Sequence, residues 1–210
     1  MAGLVITIAQ RKGGAGKTTL AAQLAVAWLR QGLRIALLDI DPQGSLAAWV
    51  DLRRVRLGTE AIGFEFAALP GWRAAQWIED RARSADLVVI DNPPHAETDA
   101  QIAVRAAGLV LIPVQPSPLD LWATAATLKM ARDERRRALV VLNRVPPRSG
   151  LTDDIAAELA NTGASIAAAR IGNRIALARA MALGLGVVES AGTALAATEI
   201  NALAEEIRGA

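Results

Sequence analysis

The 210-residue chain contains no cysteine, which removes disulfides, iron–sulfur clusters and thiolate metal sites at once. It has a single histidine, His95, directly after "DNPP". One imidazole cannot build a metal cluster, and no catalytic role is expected for it. Although 52% of the residues are hydrophobic, no apolar run reaches the ~20 residues needed to cross a bilayer. The opening "MAGLVITIAQRKGG" carries no basic segment and no small-residue cleavage site, so no secretory signal is expected and the cytoplasm is the default compartment. Lysine is scarce as well. Of 23 basic residues only Lys12, Lys17 and Lys129 are lysine, and the rest are arginine.

What remains is a chain long enough for one sizeable α/β domain over residues 1–210. The runs "LVITIA", "RIALLDI", "DLVVIDN", "GLVLIPV", "ALVVLN" and "SIAAARI" read as strands, and their continuous hydrophobicity predicts parallel strands buried on both faces. Between them the spacing predicts helices at 18–30, 45–52, 71–84, 98–106, 120–135, 152–162, 174–183 and 193–207. Strand alternating with helix implies right-handed crossovers, hence a mostly parallel twisted sheet flanked by helices on both faces. Ligands of such sheets bind at the carboxyl ends of the strands. "VPPRSG" (Val145 to Gly150) reads as a loop within the domain.

The stretch "RKGGAGKTT" follows the first strand and opens a helix, the setting of a phosphate-binding loop. The standard G-x-x-x-x-G-K-[ST] spacing fails, because its first glycine would fall at Gln10 or Arg11. Lys17 is placed to reach the β- and γ-phosphates of a nucleotide and Thr18 to ligate Mg²⁺. Lys12 is surplus to that scheme. A chain that otherwise chooses arginine has kept a compact point charge there, and the two residues are not interchangeable at phosphate.

K-G-G-x-G-K-T-T resembles the deviant Walker A motif of the ParA/MinD ATPases. "LLDIDPQGSLAAW" (Leu37 to Trp49) looks like that family's D-x-D-P-Q-G switch segment and "DLVVIDNPP" (Asp86 to Pro94) its Walker B strand. "IPVQPSPLDL" looks like the next strand and loop, and "VVLNR" is similar to the strand whose Asn faces adenine. The resemblance implies an ATPase that uses ATP and Mg²⁺, with Gly13, Gly14, Ala15, Gly16, Lys17, Thr18 and Thr19 holding the phosphates and Asn143 the base. It further implies that Lys12 crosses a homodimer interface to the partner's nucleotide. Asp91 takes the Walker B role at the metal, Asp41 orients the attacking water, and Asp39 supports the loop and the metal site. For Asp39 and Asp41 the alternative is a turn or helix cap before "PQGS", and an Asn after a strand is by itself more often a turn residue.

ParA-like proteins bind DNA without sequence preference as ATP-bound dimers, and a ParB-like or cargo-bound adaptor triggers their slow hydrolysis. Expected here, therefore, are a cytoplasmic, nucleoid-associated protein, a non-specific DNA partner and no membrane partner. Net charge is only +2, but arginines cluster in "RRVR", "RDERRR", "NRVPPR" and "RIGNRIALAR". Each cluster alone reads as a solvated surface. Phosphate neutralisation on a doubled surface would recruit them, with Arg170 and Arg174 first and Arg135 second. The loop comes about ten residues into the chain, so site-specific repression through an N-terminal helix-turn-helix is not expected. A MinD-like membrane switch would need a basic amphipathic C-terminal helix, whereas "ALAATEINALAEEIRGA" is Ala-rich and acidic. A small-molecule kinase or ligase on the same loop would need an acceptor site, for which no specific residues stand out. The five tryptophans fall mainly on predicted helices, where packing is expected rather than base stacking.

Overall fold

The computed structural model describes residues 2–94, 97–148 and 150–209; His95 and Ser149 lie outside them. Six strands, β1 (Leu4–Ile8), β2 (Ile35–Asp39), β3 (Glu65–Ala68), β4 (Leu87–Asp91), β5 (Leu109–Val114) and β6 (Arg137–Leu142), form a sheet in the order β3-β2-β4-β1-β5-β6. Every neighbouring pair is parallel. The helices are α1 (Lys17–Arg30), α2 (Ser45–Leu57), α3 (Gly71–Ser84), α4 (Glu97–Ala106), α5 (Pro118–Asp133), α6 (Gly150–Asn161), α7 (Ile175–Ala182), α8 (Val187–Ser190) and α9 (Leu195–Gly209).

The two-residue period of each strand divides its apolar side chains between two layers. Ile6, Ile8, Leu37, Val89, Leu111 and Val141 join a core with residues of α1, α2, α7, α8 and α9. Val5, Leu38, Val88 and Ile90 meet α3 and α4 on the other face, and Val110, Ile112, Val140 and Leu142 meet α5 and α6. Covered on both sides, the strands can be apolar throughout, which is why their runs look continuous in sequence. Helix α1 lies between the sheet and α9. Its residues Leu20 to Trp28 are all buried, and the Trp28 indole donates to the Ala204 carbonyl at 3.0 Å.

Three expectations need correction. Strand β3 was not expected: it is a four-residue edge strand, only partly buried, so its hydrophobic signal is weak. "SIAAARI" does not form a strand; Ile166 makes an isolated bridge to Val140, and Gly172, just after the run, another to Val145. The reason is local. The Ala168 and Ala169 N–H groups donate to the Glu206 carboxylate at 2.8 and 2.9 Å, so they are unavailable to a ladder. Finally, "RRVR" is a solvated surface only in part: Val55 and Arg56 are exposed, but Arg53 is 1% exposed. Its guanidinium forms two 2.8 Å hydrogen bonds to Glu189 and packs beside the Trp49 and Phe64 rings.

Of the tryptophans, expected at the core or at an interface, Trp28 and Trp49 are core residues, and Trp72 and Trp122 are 74% and 68% exposed. Among the described residues no helix is long and apolar enough to cross a membrane.

Candidate functional site

The central strand β1 sits between β4 and β5, where the connections turn outward in opposite directions, the position at which open α/β sheets form a crevice. The loop leaving β1 closes there onto α1. Gly14 and Gly16 have φ of 79° and 93°, left-handed values that side-chain-bearing residues resist. Gly16 is required for a second reason: a Cβ there would lie 2.4 Å from Asn143 Nδ2. That nitrogen donates to the Ala15 carbonyl at 2.8 Å, and Gln115 Nε2 donates to the Gly14 carbonyl at 3.0 Å. Two side chains from neighbouring strands thus brace the loop. The first turn of α1 contains no acidic residue and no side-chain cap, so its N–H groups and dipole are left to favour an anion.

Lys17 is buried, and its Nζ donates to the Gln10 carbonyl at 3.2 Å. Burial lowers its pKa, while the charges of Asp91 and Asp41 work in the opposite direction. The Thr18 hydroxyl donates to Asp91 Oδ2 at 2.6 Å. Asp91 ends β4 and is pushed up to about 7, chiefly by burial; its Oδ1 is buried with no hydrogen-bond partner. Asp39 ends β2 directly beside Asp91 in the strand register. Its two oxygens accept from the Asp41 and Ala47 N–H groups at 3.0 and 2.9 Å, and burial raises its pKa. Asp41 Oδ1 accepts from the Gln43 N–H at 2.9 Å. Both carboxylates therefore shape the turn into α2, the turn-forming reading; Asp41 additionally lines the cleft.

That cleft is a cavity of about 540 Å³ over Gly13, Gly14, Gly16, Lys17, Thr18 and Thr19, lined as well by Asp41 and Arg144. Lys12 behaves differently from Lys17. Its ammonium is bound by Asp120 of the same chain, on the first turn of α5. Asp120 and its partners were missed from sequence, although Ser117, whose hydroxyl binds Asp120 Oδ2 at 2.6 Å, forms with it the S-x-x-D pattern of a helix start.

Of the arginines expected at DNA, Arg170 and Arg174 lie on the segment beside the end of β6 and Arg135 before its start. Arg170 pairs with Asp153 at 2.8 Å on the surface, and Arg174 is held by Glu199 at 2.7 Å. Arg135 precedes β6, whereas Arg174 follows the Val145–Gly172 bridge beyond its other end. Arg135 therefore lies at the opposite end of the strands from the cleft.

Residues 6–187 match the family described as the CobQ/CobB/MinD/ParA nucleotide binding domain. The chain belongs to this family. Among CobQ/CobB/MinD/ParA relatives, "Maintenance of carboxysome distribution protein A" of Halothiobacillus neapolitanus is 31% identical over 96% of this chain and 95% of its own length. "Chromosome-partitioning ATPase Soj" of Thermus thermophilus is 30% identical over 96% and 94%. The septum site-determining protein MinD of Pyrococcus horikoshii, solved as a complex with Mg-ADP, superposes with a TM-score of 0.79 at 22% identity, covering 97% of this chain and 95% of that one. The six-stranded parallel sheet is thus the P-loop fold of the family.

Among the described residues no group of three or more His, Cys, Asp or Glu could hold a metal unaided. A hydroxyl and a carboxylate in contact, Thr18 and Asp91, form an all-oxygen pair beside a loop built for phosphate. This donor set suits a hard cation that keeps waters and binds through phosphate, as Mg²⁺ does. The buried, unpartnered Asp91 Oδ1 is the atom such an ion would compensate.

Proposed function

We propose that residues 1–210 act as one ATPase domain that positions a cargo by nucleotide-gated association. The observation that carries the reading is the pair of lysines on one glycine loop in different settings: Lys17 buried beneath the cleft, Lys12 at its rim on a carboxylate it can leave. In this reading Lys17 and the loop N–H groups bind the phosphates of ATP, and Thr18 and Asp91 hold Mg²⁺. The bound Mg²⁺ supplies neutralising charge to the β- and γ-phosphates. Asp41, fixed by its turn, orients the attacking water. Asp39 acts through the loop, by holding the Asp41 and Ala47 N–H groups.

Lys12 exchanges Asp120 for the phosphates of a nucleotide in a second copy of the chain, which makes dimerisation depend on ATP. The dimer doubles the basic surface and binds DNA without sequence preference. A ParB-like or cargo-bound adaptor then stimulates hydrolysis and release, so the protein works on the nucleoid in the cytoplasm. The names of the relatives that distribute carboxysomes and partition chromosomes support a positioning role. Membrane binding through the last helix is disfavoured, since its apolar residues Ala196, Ile200, Leu203 and Ile207 are already in the core.

The test is DNA binding by the purified protein with ATP, with ADP and without nucleotide, at low and moderate salt, alongside Lys12→Ala. Salt-sensitive binding to any duplex that requires ATP and disappears in the variant is the expected result. No binding in any state removes the DNA step while leaving the ATP site standing.

A further inference from the structure

Helices α5 and α6 each leave the carboxyl end of a strand and so run in the same direction, on the face of the sheet that does not carry α1. Between them lies a groove of about 390 Å³, lined by Leu121, Trp122, Leu128 and Leu159, with Arg132 and Glu158 as its charged residues. None of these residues lines the phosphate cleft. Leu128 and Leu159 are buried and belong to the core beneath, whereas Trp122 is 68% exposed. A large aromatic ring left in water above an apolar floor is the kind of residue that anchors an interface, because covering it removes much apolar surface and fixes few torsions.

The two walls of the groove differ in charge. On α5, Lys129 is already neutralised by Asp133 at 2.6 Å, which leaves the exposed Arg132 without an ion pair among the described residues. On α6, Glu158 and Asp154 one turn before it are exposed and likewise unpaired among the described residues. An occupant that matches both walls carries an apolar stripe with acidic residues toward α5 and basic residues toward α6. The space between two parallel helices fits a third helix, whose convex stripe enters the groove. A second copy of the chain does not supply that shape through the same face, because an isologous contact sets groove against groove and leaves both unfilled. The last helix, α9, packs its own apolar side into the core on the opposite face of the sheet.

We propose that the α5–α6 groove docks an amphipathic helix of a partner protein, with Trp122 as its anchor, Arg132 pairing with the acidic flank of that helix, and Glu158 and Asp154 pairing with its basic flank. The surface is separate from the nucleotide cleft, so the inference goes beyond the ATPase reading and does not depend on it. The groove nevertheless begins close to the loop: Trp122 stands two residues after Asp120, the carboxylate that holds Lys12.

The experiment selects binders to the whole chain, without nucleotide, from a displayed library of randomised helical peptides. Recovered peptides are then titrated against wild type, W122S, R132E and E158K, with thermal unfolding of each variant. All three substitutions fall on exposed side chains, so the unfolding midpoints are expected to stay near wild type. Expected binders carry an apolar stripe with acid on one flank and base on the other, and W122S weakens them at least about tenfold. R132E is expected to weaken them several-fold, to about tenfold, and to be restored by peptides whose acidic flank is changed to lysine; E158K is restored in the same way by reversing the basic flank. Failure to recover binders, binders indifferent to W122S, or charge reversals that the matching peptide change does not rescue overturn the proposal. Concentration-dependent self-association of the wild type that W122S abolishes overturns it as well, in favour of a second copy. ATP binding measured in parallel reports on the nucleotide reading independently, because no substituted residue lines that cleft.

Discussion

The Lys12 ammonium and the Asp120 carboxylate form an ion pair within one chain, its lysine side chain 35% exposed and its aspartate side chain 1%. The asymmetry decides how the pair behaves. Lys12 can move into solvent or onto another anion at modest cost, whereas Asp120 cannot follow. Its Oδ1 already lacks a partner, and without Lys12 only the Ser117 hydroxyl would face the charge. The cost of breaking the pair therefore falls mainly on the buried partner.

Removing Lys12 alone should then destabilise the chain more than a surface charge deletion does. Lys12→Ala is expected to cost about 1–2 kcal/mol, discounted from the fully buried case because the lysine is partly solvated. The double variant K12A/D120N should recover most of the loss, since the amide needs no counter-charge. Urea unfolding midpoints of the two single variants and the double variant measure the coupling; additive effects would show that the pair contributes nothing.

The apo protein should lose stability as pH rises toward neutrality. Asp91 has a folded pKa of about 7 against an ordinary value of 3.8, because burial outweighs the Thr18 hydrogen bond. A raised carboxyl binds its proton more tightly when folded, so its contribution is complete below the ordinary value and is lost as pH climbs through about 7. Asp91→Asn should flatten that part of the profile. Thermal unfolding between pH 4.5 and 8 checks it, and an unchanged slope in the variant would assign the effect elsewhere; Asp39, whose pKa burial also raises, is the nearest alternative.

Gly16→Ala tests whether the loop and Asn143 are one unit. The new Cβ meets both a φ of 93° and the Asn143 amide nitrogen, so relief requires Asn143 to leave the Ala15 carbonyl. A loss of about 1–3 kcal/mol is expected from the backbone strain, together with weaker phosphate binding. In an N143A background the clash disappears and only the φ penalty remains, so the second substitution should cost less than in wild type. Equal costs in both backgrounds would uncouple the two residues.

Sequence revealed what repeats or stands in fixed spacing. The apolar runs gave five of the six strands because strands covered on both faces are written as uninterrupted Val, Ile and Leu. Lys17, Thr18 and Asp91 were readable because a loop, a helix start and a strand end are local features, and the structure brings all three together. The misses share a different cause. Arg53 meets Glu189, and Lys12 meets Asp120, across sequence separations of 136 and 108 residues. Neither separation has a local signature. In "SIAAARI" it was again a distant carboxylate, Glu206, that took the N–H groups a strand would have used. Asn143 was singled out only through the resemblance, as the residue facing the base, and its contact with Ala15 could be seen only once β6 lay against the loop.

The two leading DNA arginines should separate experimentally, because their carboxylate partners differ in what else they hold. Asp153 makes an exposed pair with Arg170, and such pairs are worth little and exchange readily for other anions. Arg170→Ala should therefore leave stability within about 0.5 kcal/mol of wild type and lower the salt dependence of DNA binding by about one unit of slope for each chain engaged. Glu199, by contrast, also accepts from the Gly172 N–H at 3.0 Å, so the Arg174–Glu199 pair fixes the loop that carries Asn173. Arg174→Ala should lower the unfolding midpoint while leaving the salt slope of DNA binding near wild type, because a guanidinium bound through two nitrogens to a half-buried carboxylate is not available to phosphate. Unfolding curves and DNA titrations at three salt concentrations distinguish the cases. If R174A flattens the salt slope and R170A does not, the DNA surface lies on the cleft side of α7, and Glu199 is the group DNA displaces.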